Sequence, residues 1–256
     1  MEINELTFSY DKKSNQLQDV TAKIKKGKVT TIIGPNGSGK STLLGVMSRN
    51  LLPSEGQVII DGKAVHEYSA KELARKLAVV HQQNDAPHDL TVEKLISYGR
   101  IPYKRLLKQD KQEDQEAIEF AIECTNLQAK RHATLKELSG GERQRVWIAM
   151  AIAQKTPIIF LDEPTTYLDI FHQFEVLQLI KRLNEEYKVT IVMVLHDINQ
   201  AIRYSDYLLV MKNGELMMEG TPENVVTKDG LKGIYGVDCV VKEDDQTGLY
   251  IVPIGI

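Results

Sequence analysis

Gly34-Pro35-Asn36-Gly37-Ser38-Gly39-Lys40-Ser41 decides how the rest of this chain is read. It follows Val29-Thr30-Thr31-Ile32-Ile33, a short apolar and β-branched run of the kind that makes a buried strand. It leads into Thr42-Leu43-Leu44-Gly45-Val46-Met47, whose apolar spacing suits the first turns of a helix. Strand, loop and helix together match G-x-x-x-x-G-K-[ST], the phosphate-binding loop, in the context that motif requires. Glycines let backbone N–H groups approach phosphate oxygens without a Cβ in the way. The helix N-terminus adds unpaired donors and partial positive charge. Gly34, Pro35, Asn36, Gly37, Ser38, Gly39, Lys40, Ser41 and Thr42 are therefore the candidate nucleotide-binding residues. Lys40 brings a mobile charge to the β and γ phosphates, and the Ser41 hydroxyl is a hard ligand suited to Mg²⁺. The plainer reading is a Gly-rich turn that happens to precede a lysine; the flanking strand and helix favour nucleotide binding.

Composition permits this and narrows what else is open. A chain of 256 residues can bury a substantial core as one domain. A formal charge of −3 and a pI near 6.1 argue against a nucleic-acid partner held by broad phosphate attraction. The basic run from Lys23 to Lys28 reads as a solvated loop or strand edge. Cys124 and Cys239 form no CxxC or Cys/His cluster, so a disulfide framework is not expected and a reducing setting fits. Met1-Glu2-Ile3-Asn4-Glu5 lacks the basic and apolar blocks of a signal peptide. No apolar run approaches the roughly 20 residues needed to span a bilayer. The expectation is a soluble chain that meets a membrane only through a partner.

The expected fold class is α/β: a P-loop NTPase core with a mostly parallel sheet, a small N-terminal antiparallel β layer and an inserted helical subdomain. Leu6 and Phe8 alternate with polar residues as in a half-exposed strand. Gln57–Ile60 followed by Asp61-Gly62 reads as a strand entering a tight hairpin. Ser69 to Leu77 has helical spacing, with Ser69 and Glu72 as a capping box, and Leu77–Val80 reads as another core strand. Between Asn84 and about Ser139 the texture turns helical, with an amphipathic helix over Gln109–Asn126. Helix and strand then alternate: Glu142–Gln154, Ile158–Leu161, Phe171–Glu186, Thr190–Leu195, Ile198–Tyr204 and Tyr207–Met211. Such alternation implies parallel strands covered by helices. Asn213-Gly214 turns into a strand at Glu215–Met218. The chain divides as a single domain over 1–256, with 1–83 and 156–256 as core and 84–155 as the helical part. The tail beyond Thr221 is too short for a separate regulatory domain.

Ile158-Ile159-Phe160-Leu161-Asp162-Glu163 is an apolar strand ending in two carboxylates, where open α/β sheets bind ligands. Asp162 suits Mg²⁺ held through water, and Glu163 suits a base for the water that attacks a γ-phosphate. Adjacent acids can also simply mark a strand end. Leu138-Ser139-Gly140-Gly141-Glu142-Arg143-Gln144 opens a helix with small residues, a second cradle for phosphate. Ser139 and Glu142 also read as an ordinary capping box, and the two readings are compatible. One phosphate loop needs no second cradle from its own molecule, so the extra one points to a site completed by another subunit.

These residues resemble the ATP-binding subunit of an ATP-binding cassette (ABC) transporter over nearly the whole chain. In order come the phosphate loop, Gln82 in a Q-loop, Leu138–Gln144 as the signature, Asp162-Glu163, Leu168-Asp169 as the D-loop and His196 as the switch histidine. Tyr10 stands where the family places an aromatic ring against adenine. The resemblance implies ATP and Mg²⁺ as cofactors, with Ser41, Gln82 and Asp162 toward the metal and Glu163, His196, Gln82 and Lys40 toward the reaction. It implies a head-to-tail dimer with a second copy, each ATP lying between one Lys40 loop and the other copy's Ser139, Gly140, Gly141 and Glu142, braced by Asp169. Integral-membrane permease subunits, a substrate-binding protein behind them, and a peripheral place at the cytoplasmic face of the membrane follow from the same resemblance. Duller roles stay open: His196 capping the next helix, Asp169 capping the Phe171 helix, Tyr10 at a core edge, and Gln83 in place of Gln82.

Within the family, Trp147–Gln154 and Pro164-Thr165-Thr166-Tyr167-Leu168-Asp169-Ile170 resemble importers of iron–siderophore complexes, with haem and cobalamin relatives. Many ABC subunits carry a small residue where Tyr167 stands. His81 departs from the subgroup, which often has proline before this glutamine. The rivals are an ATPase for another solute or a split exporter, a non-transport ABC ATPase acting on DNA or ribosomes, and a small-molecule kinase. A kinase leaves Ser139–Gln144 without a purpose, and the DNA-acting chains typically add a coiled coil or a second cassette.

Overall fold

The computed structural model describes residues 1–11, 14–104 and 111–256. In chain order the first elements are β1 (Glu2–Phe8), β2 (Leu17–Lys23), β3 (Val29–Ile33), α1 (Lys40–Met47), β4 (Glu55–Ile60) and β5 (Lys63–Ala64). Next come α2 (Ala70–Leu73), β6 (Leu77–Val80), α3 (Val92–Ser97), α4 (Lys111–Cys124), α5 (Gly140–Ala153), β7 (Ile158–Asp162) and α6 (Ile170–Tyr187). The last are β8 (Thr190–Val194), α7 (Ile198–Tyr204), β9 (Tyr207–Lys212), β10 (Glu215–Gly220), α8 (Pro222–Val225), α9 (Lys228–Tyr235), β11 (Asp238–Asp244) and β12 (Gly248–Gly255). They fall into two compact units, Met1–Glu67 with Thr190–Ile256, and Tyr68–Val189.

In the first unit, β2, β1, β4 and β5 form an antiparallel sheet in that order, the expected N-terminal β layer. In β1, Leu6 and Phe8 are buried in alternation, and a register shift between Ile3 and Leu6 leaves Ile3 buried as well. A separate run of strands is built on β3, which pairs in parallel with β8 on one side and β9 on the other. All residues of β3 and β8 are buried, as expected for strands covered on both faces. Strand β10 joins β9 antiparallel through Asn213 (φ 53°) and Gly214 (φ 82°), the left-handed pair a tight hairpin needs. The tail forms more structure than its sequence announces: two short helices and the antiparallel hairpin β11–β12. Asn199 of α7 fastens that hairpin, accepting from the Ile251 amide (2.8 Å) and donating to its carbonyl (3.2 Å).

In the second unit, β6 and β7 pair in parallel, with Val80 opposite Leu161. Helix α6 buries Val176, Leu177, Leu179, Ile180 and Leu183, one stripe at helical spacing. Arg100, 1% exposed, pins the start of α4 through Asp114 (2.7 Å) and Glu113 (3.1 Å) and donates to the Ala153 carbonyl at the end of α5 (3.1 Å). The expected Ser69–Leu77 helix is cut to α2. Its capping box forms, but Lys76 N–H bonds the Leu73 carbonyl (2.8 Å) in a tightened final turn that releases the chain into β6. The expected Gln109 start of the following amphipathic helix lies outside the described residues; its described part is α4. Among the described residues no helix is long and apolar enough to cross a membrane.

Candidate functional site

The phosphate loop leaves β3 and enters α1 at Gly39, which offers no side-chain cap to the helix start. Two glycines are dictated by what surrounds them. A Cβ on Gly34 would overlap the Met211 carbonyl and stand 2.8 Å from Ser38 Oγ. Gly39, with φ 96°, would put one 2.8 Å from the Gln16 carbonyl. Lys40 is 5% exposed, and its Nζ donates to the carbonyls of Gly34 and Pro35, both at 2.9 Å. The ammonium is thus folded over the loop it serves. Ser38 Oγ is buried without a hydrogen-bond partner from the protein. A buried hydroxyl without a partner is costly, and an anion in the loop is the chemistry that would satisfy it.

Sequence reading missed one neighbour of this loop. Tyr235, at the end of α9, is hydrogen-bonded to the Gly34 backbone, and burial pushes its phenol up to about 12. It remains neutral near an anion site. The only hint in the sequence is an aromatic residue before Gly236, the left-handed cap of α9.

His196 follows β8, whose register beside β3 sets Val194 opposite Ile32. Both strands therefore end on the same side, where the phosphate loop begins. His196 is exposed, and the cap of α7 is Asp197, which accepts from Gln200 N at 2.8 Å. The duller role for His196 belongs to its neighbour. Tyr10 is 64% exposed, edge-on to Phe8 at 4.8 Å, with its amide donating to Gln16 Oε1 at 2.9 Å.

In the second unit, the parallel pairing of β6 and β7 brings Gln82 to the same end as Asp162 and Glu163. Gln82 Nε2 donates to Glu163 Oε2, and Thr166 Oγ1 donates to the same oxygen at 3.0 Å. Glu163 is 9% exposed and holds φ 50°, in the left-handed region that is uncommon outside glycine. Gln82 and Gln83 are both exposed, and it is Gln82 that makes the contact with Glu163. His81, where proline was the common residue, closes a small loop with Asn84: its amide donates to Asn84 Oδ1 (3.3 Å) and its carbonyl accepts from Nδ2 (2.5 Å).

Ser139 caps α5, accepting from Glu142 N (3.2 Å), while Glu142 Oε2 accepts from Ser139 N (2.8 Å). The Ser139 amide holds the Glu142 carboxyl below its usual range. Leu138 is buried whereas Ser139 and Gly140 are exposed, so the helix tip faces outward. Asp169 caps α6 by accepting from His172 N at 2.9 Å, and its side chain is 64% exposed.

Residues 17–166 match the family model described as ABC transporter. The chain is 48% identical over 244 residues to the petrobactin import ATP-binding protein FpuC of Bacillus anthracis, covering 95% of this chain and 89% of that one. It is 46% identical over 231 residues to the iron(3+)-hydroxamate import ATP-binding protein FhuC of Bacillus subtilis (strain 168), covering 90% and 86%. A dimeric ATP-binding cassette solved in a post-hydrolysis state with ADP and Pi shares the fold at TM-score 0.74 and 32% identity, over 86% of this chain and 98% of that one.

Proposed function

Because this chain belongs to the ABC transporter family, we propose that it is the ATP-binding and ATP-hydrolysing subunit of an importer for an iron–siderophore-type complex. The observation that carries the ATPase reading is the phosphate loop itself, with Lys40 folded over it and the Ser38 hydroxyl buried without a protein partner. The solute class rests on FpuC and FhuC, ATP-binding proteins of petrobactin import and iron(3+)-hydroxamate import.

In this reading the loop Gly34–Gly39, through its N–H groups other than at Pro35, holds the triphosphate with Lys40, Ser41 and Thr42, and Tyr10 stacks on adenine. Ser41, Gln82 and Asp162 offer hydroxyl, amide and carboxylate oxygens, a hard donor set that fits Mg²⁺. When bound, that ion neutralises phosphate charge. Glu163 takes the proton of the attacking water, and His196 hydrogen-bonds the γ-phosphate. A second copy packs head to tail, presenting Ser139, Gly140, Gly141 and Glu142 to the bound nucleotide, with Asp169 bracing the opposite site. Loss of the γ-phosphate contacts then reopens the dimer. Permease subunits, met through the surface near 84–95, take up the motion. A substrate-binding protein supplies the solute, and the chain works at the cytoplasmic face of the membrane.

Uptake of radiolabelled ferric siderophore by cells lacking this chain tests the reading. Uptake should fail, return with the wild-type chain, and stay lost with Glu163→Gln. Normal ferric siderophore uptake alongside loss of another solute would contradict the solute class.

A further inference from the structure

Asp169 Oδ1 accepts two hydrogen bonds from one residue, the His172 amide at 2.9 Å and the His172 ring Nδ1 at 2.8 Å. With a carboxylate as acceptor, Nδ1 carries the proton and the ring is fixed in one orientation. The other edge of that ring lies on the first turn of α5. A Cβ built on Gly141 would overlap His172 Cδ2, stand 2.6 Å from Cγ and 2.9 Å from the His172 Cβ. Gly141 is not among the glycines with positive φ. What excludes a side chain there is the imidazole, not the backbone. The next residue holds the loop from behind: Gln173 Nε2 donates to the carbonyls of Leu168 (3.0 Å) and Thr165 (3.3 Å).

We propose that His172 is a positioning residue that ties the Ser139–Gly141 helix tip to Asp169, so that the two groups offered to the second copy are presented as one body. The inference rests on the head-to-tail reading above. Closing a dimer on ATP requires both segments to be ordered at once, and a tie made in the single copy removes part of that entropy cost beforehand. His172 acts through the groups it contacts, Asp169 and Gly141.

The test uses the full chain with Glu163→Gln, titrated with ATP and followed by sedimentation. His172→Phe keeps a ring over Gly141 and loses the donor to Asp169; His172→Asn keeps a donor near the Nδ1 position and gives up the ring. Each should raise the ATP concentration at half-dimerisation by about tenfold while nucleotide binding to the single copy is unchanged. Gly141→Ala should impair dimerisation further, and adding His172→Ala, which removes the Cγ and Cδ2 atoms that meet the new methyl group, should bring the midpoint back to that of His172→Ala alone. If His172→Phe fails to fold, the Asn variant and the Gly141 pair decide the matter. Midpoints within about twofold of the parent, or a double variant no better than Gly141→Ala, would overturn the role of His172 and leave the head-to-tail reading standing. A Glu163→Gln parent that stays monomeric at every ATP concentration would overturn both.

Discussion

Gln82 and Glu163 share a hydrogen bond, with the glutamine amide donating to the carboxylate oxygen that also accepts from Thr166 at 3.0 Å. Two donors on one oxygen fix the direction of the carboxylate. The backbone stores strain at the same residue: a non-glycine at φ 50° costs about 1 kcal/mol or more. Strain of this kind is held only where the surrounding structure over-determines it.

Gln82→Ala is expected to slow ATP turnover by roughly tenfold and to leave nucleotide affinity nearly unchanged. Gln83→Ala should stay within about twofold of wild type on both counts. Steady-state hydrolysis with a fluorescent-nucleotide titration separates the two glutamines. A larger loss from Gln83 would move the role to that residue.

Glu163→Gln should cut hydrolysis by about a hundredfold or more, the usual contribution of a positioned base, while ATP still binds. The check is a single-turnover measurement beside an equilibrium binding curve. Because Gln82 and Thr166 donate to this position, the amide oxygen can still accept from them, and the variant should fold normally.

Lys40→Ala should weaken ATP binding by at least about tenfold, since a charge-assisted contact to phosphate is lost. The same ammonium holds the Gly34 and Pro35 carbonyls, so the nucleotide-free chain should lose a little stability too. Calorimetric titration and a thermal melt read the two effects separately.

Acid should weaken the second unit in a predictable direction. Arg131 lies between Glu93 (2.5 Å) and Glu119 (2.7 Å), and its hydrogen bonds are the first cause holding both carboxyls below their usual range. A depressed folded pKa contributes stability above the unfolded value, and that contribution is lost as pH falls through the folded one. Both carboxylates are partly exposed, at 30% and 41%, so solvent screening keeps the effect small. Urea midpoints measured between neutral pH and about pH 3 should fall less steeply for Arg131→Met than for wild type.

Much of this architecture was legible because chemistry dictated it locally. Val29–Ile33 is strand β3 residue for residue, and the Asn213-Gly214 pair turns the chain where expected. Ser69, Ser139 and Asp169 cap helices as their side chains predict. What escaped reading depends on contacts distant in sequence or on marginal local signals. The β11–β12 hairpin is half polar and is fastened by Asn199, about fifty residues away. Tyr235 reaches Gly34 from the far end of the chain. His172 looks like any early helix residue until its ring is seen on Gly141. Glycine at 141 reads in sequence as phosphate chemistry, whereas the structure adds a packing reason for it.

The shared-site claim is tested most directly by mixing two defective chains, each also carrying Glu163→Gln. One has Lys40→Ala and the other has Ser139→Arg. Neither should dimerise alone with ATP, because every site in such a dimer lacks one half. Mixed, they can build one complete site, with Lys40 from one chain and Ser139 from the other. The account predicts that a tagged copy of either captures the other only with ATP, at about one nucleotide per dimer. ATP-dependent self-association of either variant at the parent's strength, or no mixed dimer at any ATP concentration, would contradict it.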